Sequence, residues 1–306
     1  MKKFLSVATA LALAAVGFAA APASATTPAA SYDFDMDGAF LDSIGSATIA
    51  GAATCSSPSA SDLCNVSANF GTDSIGDFWH WVTTQDNGGG AVLTTSAQLG
   101  NSYSLYFKFA MDEASRDTSA SNCAAPEENY SKLLDFQDKT IDTGLYTQGC
   151  DTFLISTGFD TGTASIPLGD VVEIVVSRDD TTSMVTVFVN YGNGYEESFV
   201  TDDSADEFIP ADSGSGSIIR MFQDDGVDAT AEGVKEGRLY GVKAWAGTAL
   251  TINDLDGLVT VTPATNAGND NLADTGVDAA QSSTILGFGI AALVAGVAVV
   301  ARRRRA

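Results

Sequence analysis

Histidine, basic side chains and proline are all scarce in this chain: one His, 15 Lys+Arg and 7 Pro among 306 residues. A single imidazole, His80, excludes sites that need two or more of them. The four cysteines have no C-x-x-C spacing, which argues against a zinc site built on thiolates. No G-x-S-x-G stretch is present and no cysteine stands in a nucleophile context, so the familiar hydrolytic machineries are missing. Basic residues are so few that the 39 acidic ones leave a formal charge of −24. Such a chain repels nucleic acid and anionic surfaces, and neither is expected as a partner. Long apolar runs occur only at the two termini, and no long stretch between them repeats with helical periodicity.

The first terminus reads MKKFLSVATALALAAVGFAAAPASA. Lys2 and Lys3 precede a short, Ala-rich apolar stretch, and Ala23, Ser24 and Ala25 form a small-residue cleavage site. This order predicts a secretory signal peptide over residues 1–25, cut before Thr26. No cysteine lies near that site, which argues against a lipoprotein anchor. The second terminus carries Leu272, Ala273, Asp274, Thr275 and Gly276, then a polar spacer, then an uncharged apolar run from Thr284 to Ala301. As a helix this run would extend roughly 27 Å at about 1.5 Å per residue, enough to cross a bilayer. Arg302 to Arg305 follow it and would hold that end in the cytoplasm. The physical expectation is a single-pass anchor with the body of the protein outside.

The order of pentapeptide, apolar helix and basic tail resembles the cell-wall sorting signal of Gram-positive surface proteins. That resemblance implies a sortase as partner, cutting between Thr275 and Gly276 and joining Thr275 to peptidoglycan. The chain would then touch the membrane only through the helix at 284–301, before sorting. Ala273 stands where the commonest pentapeptide has proline, and this form is similar to the variant of high-GC Gram-positive bacteria. Without residues 1–25 and 276–306 the chain keeps nine basic residues against 38 acidic ones, a formal charge of −29. That charge favours solubility and attracts divalent cations, although a diffuse acidic surface is as readily just a solvated one.

Between the ends, short Val-, Phe- and Tyr-rich runs are separated by Gly, Ser, Thr, Asp and Asn, the pattern of β structure. In YSLYFKFA the two-residue repeat puts Leu105, Phe107 and Phe109 on one face. VVEIVVSRDDTTSMVTVFVN reads as a hairpin with a strand at Val171–Ser177, a polar turn at Arg178–Ser183, and Val185, Val187 and Val189 sharing a face. Further strands are expected at Ser131–Phe136, Phe153–Ser156, Glu196–Val200, Ser217–Phe222 and Gly237–Trp245. Cys55, Cys64, Cys123 and Cys150 are even in number in an exported chain, so disulfides are expected. We expect local pairing, Cys55–Cys64 and Cys123–Cys150, among the three possible connectivities. From Val259 to Asn271 the patterning fades into a stalk.

The segments YDFDMDGAFLDSIGSATIAG, YSKLLDFQDKTIDTGLY, VVEIVVSRDDTTSMVTVFVN, IIRMFQDDG and GRLYGVKAWAGTAL together resemble laminin-G-like and concanavalin A-like domains. The resemblance implies an all-β fold, a sandwich of two antiparallel sheets (a jelly roll), over residues 26–258, with 259–271 as linker and 272–306 as sorting signal. It also implies a rim calcium, for which Asp224, Asp225 and Asp228 are the first candidates. Asp202, Asp203 and Asp206 form a second acidic loop without that warrant. Glucanases of this scaffold resemble one another in an E-x-D-x-x-E strand, and no glutamate here has Asp two residues on, so no enzyme is expected.

FWHW puts Trp79 and Trp81 on one face and Phe78 and His80 on the other. The two indoles could stack on a sugar or lie in the core, and Trp245 reads as core. DFDMDG at 33–38 opens like a calcium loop, but position twelve of an EF-hand counted from Asp33 is Ile44. Alternation instead makes it a strand with Tyr32, Phe34 and Met36 inward. The function expected is a surface binding protein for carbohydrate or glycoprotein. The alternatives are an interaction module without a sugar site and, from another class, a divergent glycoside hydrolase.

Overall fold

The computed structural model describes residues 27–52, 65–84, 88–113, 130–148, 151–155, 159–224, 233–255 and 258. The predicted signal peptide, all four cysteines, Asp225, Asp228, the stalk, the sorting pentapeptide and the apolar run at 284–301 lie outside these residues. Among the described residues no helix is long and apolar enough to cross a membrane.

Those residues form 17 strands and one short helical turn. In chain order the first are β1 (Tyr32–Asp35), β2 (Leu41–Asp42), β3 (Thr48–Gly51), β4 (Ser67–Thr72), β5 (Asp77–Val82), β6 (Gly88–Thr94), β7 (Tyr103–Glu113), β8 (Tyr130–Asp135) and β9 (Gly144–Gln148). They are followed by β10 (Asp151–Ile155), β11 (Phe159–Ser165), β12 (Val171–Asp179), β13 (Met184–Asn190), β14 (Tyr195–Asp202), β15 (Ala211–Asp212), β16 (Ser217–Gln223) and β17 (Glu236–Ala246). The turn α1 (Ile252–Leu255) closes the described body.

Two antiparallel sheets result. The wider has nine strands in the order β14-β13-β12-β7-β17-β1-β2, with β5 also on β17 and β4 on β5. The other has eight, β11-β10-β9-β8-β16-β6-β3, with β15 on β16. The core lies between them. Leu105, Phe107, Phe109 and Met111 of β7 and Val185, Val187 and Val189 of β13 point inward from the wider sheet, all buried. They meet Leu134, Leu145, Leu93, Ile219 and Met221 of the other. The alternation read from the sequence at these strands is the alternation observed.

DFDMDG forms β1 and its turn. Tyr32, Phe34 and Met36 are buried, and Asp33 pairs with Lys243 of β17 at 2.6 Å. The neighbouring DSIG turn is organised by Asp42. Its carboxylate accepts the backbone N–H groups of Asp33, Ile44, Gly45 and Ala47 at 3.0–3.1 Å. Burial alone would raise its pKa, but these four donors outweigh that and hold the carboxyl below the ordinary value.

A second apolar cluster sits on the outer face of the wider sheet. Tyr106, Val175, Phe188 and Trp245 are covered there by Leu250, Leu255 and the segment around Ala30. The Trp245 indole N–H donates to the Pro28 carbonyl at 2.9 Å. Ser104 and Ser177 face each other across β7 and β12 and bond the closing segment at Thr248, Leu250 and one another. Trp245 is therefore buried as expected, though in this outer cluster rather than between the sheets.

One expectation fails at the hairpin. The sequence pattern puts Arg178 in a polar turn, yet β12 continues to Asp179 and Arg178 is fully buried. Its guanidinium reaches Asp203 at 2.5 Å and Asp206 at 2.6 Å and the Asn101 carbonyl at 2.6 Å. The charge is buried because three acceptors converge on it.

Candidate functional site

Trp79 and Trp81, the expected sugar platform, are 3% and 0% exposed. A ring that stacks on a sugar needs an open face, and neither indole has one. The two stack on each other at 5.4 Å, and Trp81 stacks on Phe222 at 4.7 Å. The Trp81 indole N–H donates to the Val234 carbonyl at 3.3 Å. The core reading of these residues is the one the structure supports.

The acidic stretches divide similarly. Asp224 follows β16 and is 3% exposed, with a partner of its own. The second acidic loop is organised around a cation the chain itself supplies, Arg178. Asp203 holds that guanidinium and also accepts the Glu207 N–H at 2.8 Å. Its oxygens are spent on protein donors, which does not fit calcium coordination by that loop.

The half-exposed chemistry of the wider sheet gathers on its outer face, where β5, β7 and β17 run side by side. Alternation turns Phe78 and His80 of β5 and Glu236, Arg238 and Tyr240 of β17 to that face. Arg238 stands opposite His80 on β5 and opposite Ala110 on β7. The β7–β17 register shifts between Glu236 and Gly237, where Glu236 pairs with Glu113 and Gly237 with Met111. Asp112 is thus the extra residue of a β-bulge, and it enters the same cluster.

Arg238 is the centre of this cluster. It grips Asp112 bidentately, Nε to Oδ2 at 2.8 Å and Nη2 to Oδ1 at 2.7 Å. Its Nη1 donates to Asp73 at 3.0 Å and to the Tyr240 hydroxyl at 2.8 Å. Tyr240 in turn donates to Asp73 at 2.7 Å. The guanidinium lies 6.0 Å from the Phe78 ring centroid and 5.9 Å from that of Tyr240. The paired carboxylate of Asp112 pushes the Arg238 pKa up. Burial would raise that of Asp73, but the bonds from Tyr240, Ile75, Gly76 and Arg238 bring it below the ordinary value. Burial, then the bond to Asp73, pushes the Tyr240 phenol up.

Beside Arg238, His80 Nε2 lies 2.9 Å from Glu236 Oε1, with 26% and 33% of the side chains exposed. One donor atom each from His80, Asp112 and Glu236 falls within 4.8 Å of the others. Sequence reasoning placed His80 on the face opposite the tryptophans but did not find its partners. Alternation along β17 would have put Glu236 and Arg238 together. Only the strand register and the bulge bring Asp112 and Asp73 to them.

No family model matches the chain, and no curated protein matches it in sequence. Among solved structures it is similar to the botulinum neurotoxin serotype D binding domain, with 9% identity and a TM-score of 0.45, covering 74% of this chain and 50% of that one. The serotype G binding domain shows 12% identity and a TM-score of 0.47, covering 75% and 50%. The binding domain of botulinum neurotoxin DC in complex with SialylT shows 7% identity and a TM-score of 0.46, covering 74% and 50%. The chain spans about half the length of these structures.

Proposed function

We propose that this chain is an exported surface protein of a Gram-positive bacterium, fixed to peptidoglycan through Thr275. It presents a concanavalin A-like or laminin-G-like sandwich that binds carbohydrate or glycoprotein. The display half rests on the sequence order of LADTG, apolar run and four arginines. The binding half is carried by one observation, the cluster around Arg238. Donors, acceptors and the Phe78 ring stand together on a half-exposed sheet face, the combination that sugar and protein surfaces both use.

A glycan array probed with the full-length chain in mild detergent tests the binding half. Binding to at least one glycan class is expected, and Arg238→Ala and Phe78→Ala will weaken it at least tenfold. Lys243→Ala, on the same sheet but outside the cluster, will leave it unchanged. A second reading, an interaction module with no sugar site, is favoured by the burial of Trp79 and Trp81. A folded chain that binds no glycan on the array would leave that second reading in its place.

A further inference from the structure

We propose that His80, Asp112 and Glu236 form a binding site for a zinc-type divalent cation on the outer face of the wider sheet. The three donors come from three neighbouring strands, β5, β7 and β17. Their ligand atoms already lie within 4.8 Å of one another, and His80 Nε2 is 2.9 Å from Glu236 Oε1. A tetrahedral ion with bonds of about 2.0–2.2 Å sets its ligands roughly 3.3–3.6 Å apart, so small side-chain rotations complete the geometry. The imidazole would exchange its contact with Glu236 for the metal, and the carboxylate would turn toward the same ion.

The surroundings suit a cation. Asp73, Asp112 and Glu236 bring three carboxylates against the single guanidinium of Arg238. A divalent ion would neutralise the excess. Arg238 takes the part that hydrogen-bonded outer residues take at metal sites. Its bidentate grip fixes the Asp112 carboxylate at 2.7 and 2.8 Å and leaves a lone pair on each oxygen for the ion. The bulge on β7 is what turns Asp112 into the cluster. One imidazole and two carboxylates are too few oxygens for calcium, which takes six to eight. They suit zinc, which binds nitrogen and oxygen in fours and leaves the last position to water or to a ligand.

The scarcity of histidine makes the test specific. His80 is the only imidazole in the chain, so in protein prepared without a histidine tag one pair of ring C–H resonances reports this site alone. Zn²⁺ alone is titrated into the metal-stripped full-length chain in detergent, followed by proton NMR and calorimetry. The expected result is one Zn²⁺ per chain, saturating at micromolar concentration, with the His80 resonances shifting in step. Mg²⁺ and Ca²⁺ at the same concentrations will leave them in place. Glu236→Gln and Asp112→Asn will each weaken Zn²⁺ at least tenfold. The proposal is overturned if heat evolves while the His80 resonances stay fixed, because the ion then sits on other side chains. It is equally overturned if the resonances move only above about 1 mM Zn²⁺, or if Glu236→Gln, shown folded by its unchanged methyl spectrum, binds as tightly as the unaltered chain.

Discussion

Replacing Arg178 with methionine will destabilise the sandwich by about 3–5 kcal/mol, the range for breaking a buried ion pair by removing one partner. The methionine keeps most of the apolar stem and removes the charged head. What remains is the problem. Asp203, 2% exposed, loses the guanidinium at 2.5 Å and keeps only backbone donors. Asp206, far more exposed, recovers water when its partner goes. The cost therefore comes from a stranded Asp203 carboxylate rather than from the sum of the lost bonds. Urea denaturation of the full-length chain measures it. The double variant Arg178→Met with Asp203→Asn will be less destabilised than the two single losses added together. A loss below about 1 kcal/mol for Arg178→Met, the size of an exposed pair, would show that the charge is not held as described.

The second large effect is expected at Trp81. Truncation to alanine will cost about 3–5 kcal/mol, the range for large aromatics in a packed core. The indole stacks on Trp79 and Phe222, and two glycines make room for it. A Cβ at Gly89 would lie 2.6 Å from its Cδ1, and one at Gly237 would lie 2.6 Å from its Cη2. Its replacement leaves a cavity where these two glycine backbones now close against the indole. Phe222, whose backbone is left-handed at φ 66°, loses its shortest ring contact in the variant. Urea denaturation again gives the value. If Trp81→Ala instead weakened glycan binding while leaving the unfolding midpoint in place, the indole would belong to a binding surface and not to the core.

The contrast between Trp81 and Arg238 shows what could be read in the sequence. Two-residue alternation names the inward faces of β1, β7 and β13 correctly because apolar residues recur there at every second position, but it misses that Tyr106 of β7 and Phe188 of β13 are buried on the outer face as well. It also puts Trp79 and Trp81 on one face, but it cannot say which face is inside. That depends on the sheet opposite. The Arg238 cluster needs more still. Asp73, His80, Asp112 and Glu236 are scattered over some 160 residues, and their meeting follows from the pairing of β17 with β5 and β7 and from one bulge. Arg178 was misplaced for a related reason. A basic residue followed by Asp-Asp-Thr-Thr reads as a turn, and only the acidic loop after β14 supplies the partner that permits its burial.

The proposed wall attachment is tested most directly by the chemical state of Thr275. Purified cell walls are digested with a muramidase, and the C-terminal peptide of the released protein is sequenced by mass spectrometry. The expected peptide ends at Thr275 with its carbonyl in amide linkage to a wall peptide, and Thr275→Ala removes the protein from this fraction. A peptide that continues through Gly276 into the apolar run, or a Thr275→Ala chain that stays linked to the wall, would contradict it.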